Sequence, residues 1–115
     1  MNSSTKNVLI TGIAGFLGSH LAEECLKKGH NVYGNDNLIG GYKDNIPKEV
    51  TFSNIDCNNF EKINELFKLY KIDVLYHCAA TAYEGLSVVS PNFVTKNIFQ
   101  SSVSVFSAAI NNKVK

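Results

Sequence analysis

Eight consecutive residues, Thr11-Gly12-Ile13-Ala14-Gly15-Phe16-Leu17-Gly18, place glycine at every third position, between the apolar run Val8-Leu9-Ile10 and a segment of helical period. Such a stretch can hold a pyrophosphate, because the unpaired N–H groups and the dipole of a helix N-terminus both favour an anion. A side chain at Gly12 or Gly15 would hold the phosphates away, whereas Gly18, one turn into the helix, serves close packing of helix on strand. The spacing is G-x-x-G-x-x-G rather than G-x-G-x-x-G, and taken alone it is a weak signal, since glycine-rich turns are common. Asp36 strengthens it. This residue ends the next apolar stretch, about 20 residues past the glycines, where a carboxylate can accept both hydroxyls of an adenosine ribose. Its charge would repel a 2′-phosphate, which favours NAD over NADP; the alternative is a solvated loop aspartate. A phosphate-binding P-loop would end in Gly-Lys-Ser or Gly-Lys-Thr, and here Gly18 is followed by Ser19-His20.

These residues need strands and a helix to position them. Val8 to Thr11 is a continuous apolar run, as expected of a central strand covered on both faces. From Phe16 to Lys28 the period is helical, with Leu17, Leu21 and Cys25 on one stripe and Ala22 and Leu26 beside it. Gly29 can close that helix in the left-handed conformation. A second strand runs from Asn31 to Asp36, and Leu38 to Glu49, with Gly40-Gly41, Asn45 and Pro47, reads as a loop. Val50 to Asp56 is a third strand. Asn58 or Asn59 then caps a helix that repeats Phe60, Ile63, Leu66, Phe67 and Tyr70, with Asn58 and Glu61 as a capping-box-like pair. Ile72 to His77 is a fourth strand, and Pro91 to Ile110, with Val94, Ile98, Val103 and Phe106, reads as a helix among serines. Strands alternating with helices imply an α/β fold with a doubly wound parallel sheet in three layers.

Composition narrows the function. The chain has 115 residues and a net charge of +1, so it carries no basic field for nucleic acid or an anionic membrane. The polar start from Met1 to Asn7, followed by an apolar segment broken by Gly12, Gly15 and Gly18, fits neither a secretory signal nor a membrane span. The three cysteines, Cys25, Cys57 and Cys78, show no C-x-x-C spacing and suit reduced thiols in a cytoplasmic protein. His20, His30 and His77 with Glu23, Glu24 and Asp36 lack ligand-like partners, so no metal site is expected. Lys43, Tyr83 and Ser87 read as solvated loop residues. Asp56 either faces an adenine or begins a turn.

Thr11 to Gly18, Asp36-Asn37-Leu38, Asp56, His77-Cys78-Ala79-Ala80, and Ser90-Pro91 followed by Asn97 resemble, in order and spacing, the amino-terminal part of the extended short-chain dehydrogenase/reductase family. Within it the likeness is to the NAD-dependent nucleotide-sugar epimerases and dehydratases, over nearly the whole chain. The resemblance implies that Gly12, Gly15, Phe16 and Leu17 touch the pyrophosphate of NAD. It implies that Asp36, Asn37, Leu38, Ile39, Gly40 and Gly41 grip the adenosine ribose, and that Asp56 and Cys57 flank the adenine. Cys78, Ala79, Ala80, Thr81 and Ala82 would line the nicotinamide side, supported by Asn97. Ile55 stands where the family has Gly, and Cys57 where it has an aliphatic residue. The family's chemistry uses a Ser or Thr and a Tyr-x-x-x-Lys pair, and none of Tyr33, Tyr42, Tyr70, Tyr76 and Tyr83 has a lysine four residues on. Residues 1–115 are therefore expected to be an incomplete Rossmann-type NAD-binding domain without catalytic residues of its own; the alternatives are a module that binds NAD without turnover and an interaction or scaffold fragment that uses the Pro91 to Ile110 helix. The nucleotide-sugar substrate would bind through further residues, and the complete protein would form a homodimer.

Overall fold

The computed structural model describes residues 5–79, 92 and 96–114. Four parallel strands, β1 (Asn7–Thr11), β2 (Asn31–Asn35), β3 (Thr51–Ser53) and β4 (Val74–His77), form one sheet in the order β3-β2-β1-β4. β1 is thus central, as its unbroken apolar character implied. Its register places Thr11 opposite Asn35 on one side and His77 on the other, so three strand ends converge at one rim. β3 and β4 are shorter than the apolar runs that announced them, because pairing ends at Ser53 on one side and begins only at Val74 on the other.

Alternation along β1 feeds two cores. Leu9 points to one face, where it packs with Ile63, Leu66 and Phe67 of α2 (Phe60–Tyr70) and Val105 and Ala108 of α3 (Ser101–Asn111). Val8 and Ile10 point to the other, against Ile13, Val32, and Ala22 and Cys25 of α1 (Phe16–Lys27). Helices on both faces of a parallel sheet make the three-layer α/β arrangement. Tyr70 adds a stacked contact with Tyr33, ring centroids 4.2 Å apart.

Two helices differ in detail from the sequence pattern. On α1 the buried residues are Gly18, Ser19, Ala22 and Cys25, while Leu17 is 65% exposed, because the small residues let the helix lie close to the sheet and turn the leucine outward. The stripe expected on the last helix is likewise turned outward: Ile98, Val103 and Phe106 are exposed, and Ser101, Val105 and Ala108 are buried. That segment is also not one α-helix. Lys96–Gln100 is a π-helical turn, and α3 starts at Ser101. The Ile98 carbonyl accepts from the hydroxyls of Ser102 at 2.6 Å and Ser101 at 3.3 Å, side-chain bonds that compete with the helical ladder and disturb its period. Pro91 and Val94 lie outside the described residues.

Helix ends follow the expected chemistry only in part. Asn59, not Asn58, caps α2, its Oδ1 accepting from the Lys62 N–H at 3.2 Å, which leaves Glu61 outside any capping box. α1 closes through Gly29 at φ +85°, with the Gly29 N–H donating to Leu26 O and the His30 N–H to Cys25 O. Lys71 and Lys113 take the same left-handed position after α2 and α3.

Candidate dinucleotide site

The rim where β1, β2 and β4 end is built around the first glycine. Gly12 leaves β1 at φ +68°, and a Cβ there would come within 2.8 Å of the Ala79 backbone. Its N–H and that of Ile13 both donate to the Asn35 carbonyl, at 2.9 and 3.2 Å, which folds the turn down onto the end of β2. Gly18 packs on the Gly12 carbonyl so closely that a side chain would collide with it, the helix-on-strand role expected of it. Gly15 differs. Its backbone is extended, it caps α1, and a methyl group would meet only the Gly12 carbonyl, at 3.4 Å. The fold itself therefore sets the requirement at Gly12 and Gly18 but not at Gly15. Phe16 and Leu17 form the exposed first turn of α1, where N–H groups have no preceding helical carbonyl to reach. His20 lies on the surface of that helix, its ring 4.5 Å from Phe16 and its Nδ1 on the Phe16 carbonyl.

Asp36 follows the last residue of β2. Its Oδ2 accepts from the Ala14 N–H at 3.0 Å and its Oδ1 from the Leu38 N–H at 2.7 Å, so the carboxylate ties the glycine loop to its own loop. Each oxygen keeps a further lone pair for another donor. Asn37 Oδ1 accepts from the Ile39 N–H, Leu38 adopts φ +64°, and Ile39 and Gly40 are exposed. Gly41 then passes so near Ala14 that a Cβ would lie 2.7 Å from its carbonyl. That carbonyl accepts from the Tyr42 N–H at 3.2 Å and from Asn45 Nδ2 at 2.9 Å. Asn45, in the 3₁₀ turn Lys43–Asn45, is thus a second tether of the glycine loop. In the sequence it showed only as turn chemistry.

On the β3 side, Asp56 is exposed and its Oδ1 accepts from both the backbone and the side-chain nitrogen of Asn58, so the carboxylate shapes the turn into α2. Cys57 is buried. Its Sγ accepts from Asn35 Nδ2 at 3.3 Å, and burial pushes its thiol up to about 11. Any contact it made with a ligand would be through its backbone. Asn35 was not singled out in the sequence, yet it is fully buried and joins the glycine turn, the Ile55 carbonyl and Cys57.

On the β4 side, the Cys78 N–H donates to the Thr11 carbonyl at 3.2 Å and the Ala79 N–H to Thr11 Oγ1 at 3.1 Å, which lays the loop after β4 against the glycine turn. Burial raises the Cys78 thiol as well. Ala80, Thr81, Ala82, Tyr83 and Ser87 lie outside the described residues, and Asn97 lies on the backbone of the π-helical turn. Among the described residues no three metal-ligating side chains come together, and no helix is long and apolar enough to cross a membrane.

This arrangement has counterparts in known proteins. The model of the NAD dependent epimerase/dehydratase family matches residues 8–115. The UDP-glucose 4-epimerase of Drosophila melanogaster is 33% identical over 94% of this chain, which spans 35% of that protein. The crystal structure of a UDP-glucose 4-epimerase from Thermotoga maritima, with UDP-glucose, superimposes with a TM-score of 0.92 at 30% identity, covering 95% of this chain and 35% of the other. That of the Thermus thermophilus UDP-glucose 4-epimerase, in complex with NAD, gives a TM-score of 0.91 at 32% identity over the same shares. This chain spans about a third of each of these proteins.

Proposed function

The chain belongs to the NAD dependent epimerase/dehydratase family, and from that premise we propose that its glycine loop seats the pyrophosphate of NAD within a protein that epimerises or dehydrates a nucleotide sugar. The observation that carries this reading is the contrast between the glycines. Gly12 and Gly18 are demanded by neighbouring protein atoms, whereas the helix-capping Gly15 has room for a methyl group in the fold alone. A ligand resting on that helix end supplies the missing reason for glycine.

The remaining placements support the same seat. Phe16 and Leu17 present their backbone to the pyrophosphate. Asp36 faces the same rim with lone pairs for a ribose diol, and Asn37 to Gly41 curve beside it. Asp56 and Cys57 would meet the adenine, and Cys78 to Ala82 with Asn97 the nicotinamide side. In such an enzyme the cofactor takes a hydride from a sugar carbon and returns it. The residues of this chain bind and orient; no Tyr-x-x-x-Lys pair occurs in it to move the hydroxyl proton. Calorimetric titration with NAD and NADP tests the reading. Binding of NAD in preference to NADP is expected, and a protein that binds neither overturns it.

The exposed apolar side chains of the π-helical turn and of α3, among them Phe99 at 67% and Ile110 at 75%, support the further proposal that the protein works as a homodimer, which the mass from sedimentation equilibrium checks. Free Cys25, Cys57 and Cys78 fit a reducing, cytoplasmic setting.

A further inference from the structure

His77 is absorbed by none of these roles, yet it sits where the halves of the rim meet. Its Nδ1 lies 2.6 Å from Thr11 Oγ1 and its Nε2 3.1 Å from Ser102 Oγ. Hydrogen-bond directions assign the tautomer. Ser102 Oγ donates to the Ile98 carbonyl at 2.6 Å, because a carbonyl can only accept, so it accepts from an Nε2–H. Thr11 Oγ1 accepts from the Ala79 N–H, which leaves its own proton for Nδ1. A continuous chain results, from the Ala79 N–H through Thr11, His77 and Ser102 to Ile98. Its two ends are the loop after β4 and the π-helical turn that carries Asn97. The Phe106 ring stands edge-on to the imidazole, centroids 5.4 Å apart, and fixes its plane.

We propose that His77, as a neutral imidazole protonated on Nε2, is a positioning residue that couples the glycine turn and the Cys78–Ala79 loop to the turn carrying Asn97, so that dinucleotide affinity depends on this link. The proposal rests on the reading of the rim as an NAD seat. Protonation would reverse the Thr11–His77 bond, since an Nδ1–H can only donate: the Thr11 oxygen, which already takes the Ala79 N–H, would accept it, and the Thr11 proton would lose the imidazole as its acceptor. The surroundings favour the neutral form: burial lowers the His77 pKa from its ordinary 6.5, and among the described residues no charged group acts on it. The titratable neighbours are Cys57, which reaches the Thr11 hydroxyl, and Cys78, next along the chain; burial raises both thiols, so both stay neutral where His77 titrates.

The test uses the full-length protein in wild-type, Ser102→Ala and His77→Asn forms, with NAD titrated from pH 5 to 8 and amide hydrogen exchange followed without ligand. A short asparagine amide can reach Thr11 but not Ser102, and it does not titrate. Wild-type affinity should hold above pH 6.5 and weaken below it as His77 protonates, by about fivefold, the fold-change of one donor left without its acceptor. His77→Asn should lose that acid dependence. Ser102→Ala should weaken NAD by about fivefold at pH 7.5, and should speed exchange of the Ala79 N–H, which Ser102 does not touch. An unchanged acid profile in His77→Asn, or Ser102→Ala with both affinity and Ala79 exchange as in wild type, overturns the coupling. If the wild type binds no NAD at any pH, the proposed function fails. Exchange at Ala79 in Ser102→Ala then decides the coupling by itself.

Discussion

The glycine-turn half of the rim and the α3 half meet at Thr11 but are held by different means. From Gly12 to Asn45 every one of these tethers has a backbone group at one end or both: the Gly12 and Ile13 N–H groups on the Asn35 carbonyl, the Tyr42 N–H and the Asn45 amide on the Ala14 carbonyl, and the Ala14 N–H on the Asp36 carboxylate. On the other side, the last helix is joined to the rim by side chains, His77 to Ser102 and Phe106, while its exposed face keeps Val103 and Ile110 in solvent. Backbone tethers depend on conformation, which local residue types set. Side-chain tethers depend on which distant residues the topology brings together. The first half should therefore break when a backbone angle is forbidden, and the second when one polar atom is removed.

The largest effect is expected where the backbone argument is strongest. Gly12→Ala must adopt φ +68° and bring its methyl within 2.8 Å of Ala79, so a destabilisation of about 3 kcal/mol is expected from left-handed strain plus overpacking. Gly15→Ala, with an extended backbone and an open neighbourhood, should cost less than about 1 kcal/mol yet weaken NAD binding. Denaturant melts of both variants, paired with NAD titrations, check this. Equal destabilisation by the two would erase the distinction between fold-imposed and ligand-imposed glycines.

Cys57 sits below the glycine half and sharpens the comparison through pH. Its thiol pKa is raised from 9.0 to about 11, chiefly by burial, so the folded state favours the protonated form. That contribution is fully present below pH 9 and is lost as pH climbs towards 11. Relative to a Cys57→Ala variant, the wild type should lose about 2 kcal/mol of stability across that window. Parallel melts of the two at pH 8, 9.5 and 11 measure the difference, and a constant gap would place the thiol in contact with water.

Asp36 joins both kinds of tether, a side chain that receives backbone N–H groups. Asp36→Ala should narrow the preference for NAD over NADP by about 1–3 kcal/mol through a lost charged hydrogen bond. It should also loosen the Ala14 and Leu38 amides, which hydrogen exchange reads. NADP preferred by the unmutated protein would remove the ribose assignment.

The same division explains what the sequence disclosed. The glycine loop, the central position of β1 and the carboxylate at the end of β2 were legible because glycine spacing, an unbroken apolar run and an acidic residue are each local signs of a backbone requirement. Asn35 and His77 were not. Asn35 resembles any strand-end polar residue until the fold buries it under the glycine turn, and His77 acquires its partners 66 and 25 residues away in sequence. The stripe expected on the last helix failed for a related reason. Val103 and Phe106 have helical spacing, but the π-helical turn ahead of them shifts the helix's phase, and the small residues Ser101 and Ala108 take the buried face.

The smallest expected effect concerns helix ends, where a local sign was absent although the geometry is shared. α1 ends through Gly29 at φ +85°, while α2 ends through Lys71 at φ +51°, with the Ile72 N–H reaching back to the Phe67 carbonyl as the His30 N–H reaches Cys25. A lysine in the left-handed region strains its Cβ against the carbonyl that follows, at a cost of about 1–2 kcal/mol. Glycine removes the strain but gives the unfolded chain more freedom to lose, which offsets about 0.5–1 kcal/mol of the gain. Lys71→Gly should therefore stabilise the protein by about 0.5–1 kcal/mol without altering NAD affinity, since the turn lies at the opposite end of β4 from Cys78 and Ala79. Urea melts with wild type and variant at equal protein concentration resolve a change of that size. A loss of stability would show that the lysine side chain makes a compensating contribution, and that the end of α2 is held, like the last helix, by its side chains.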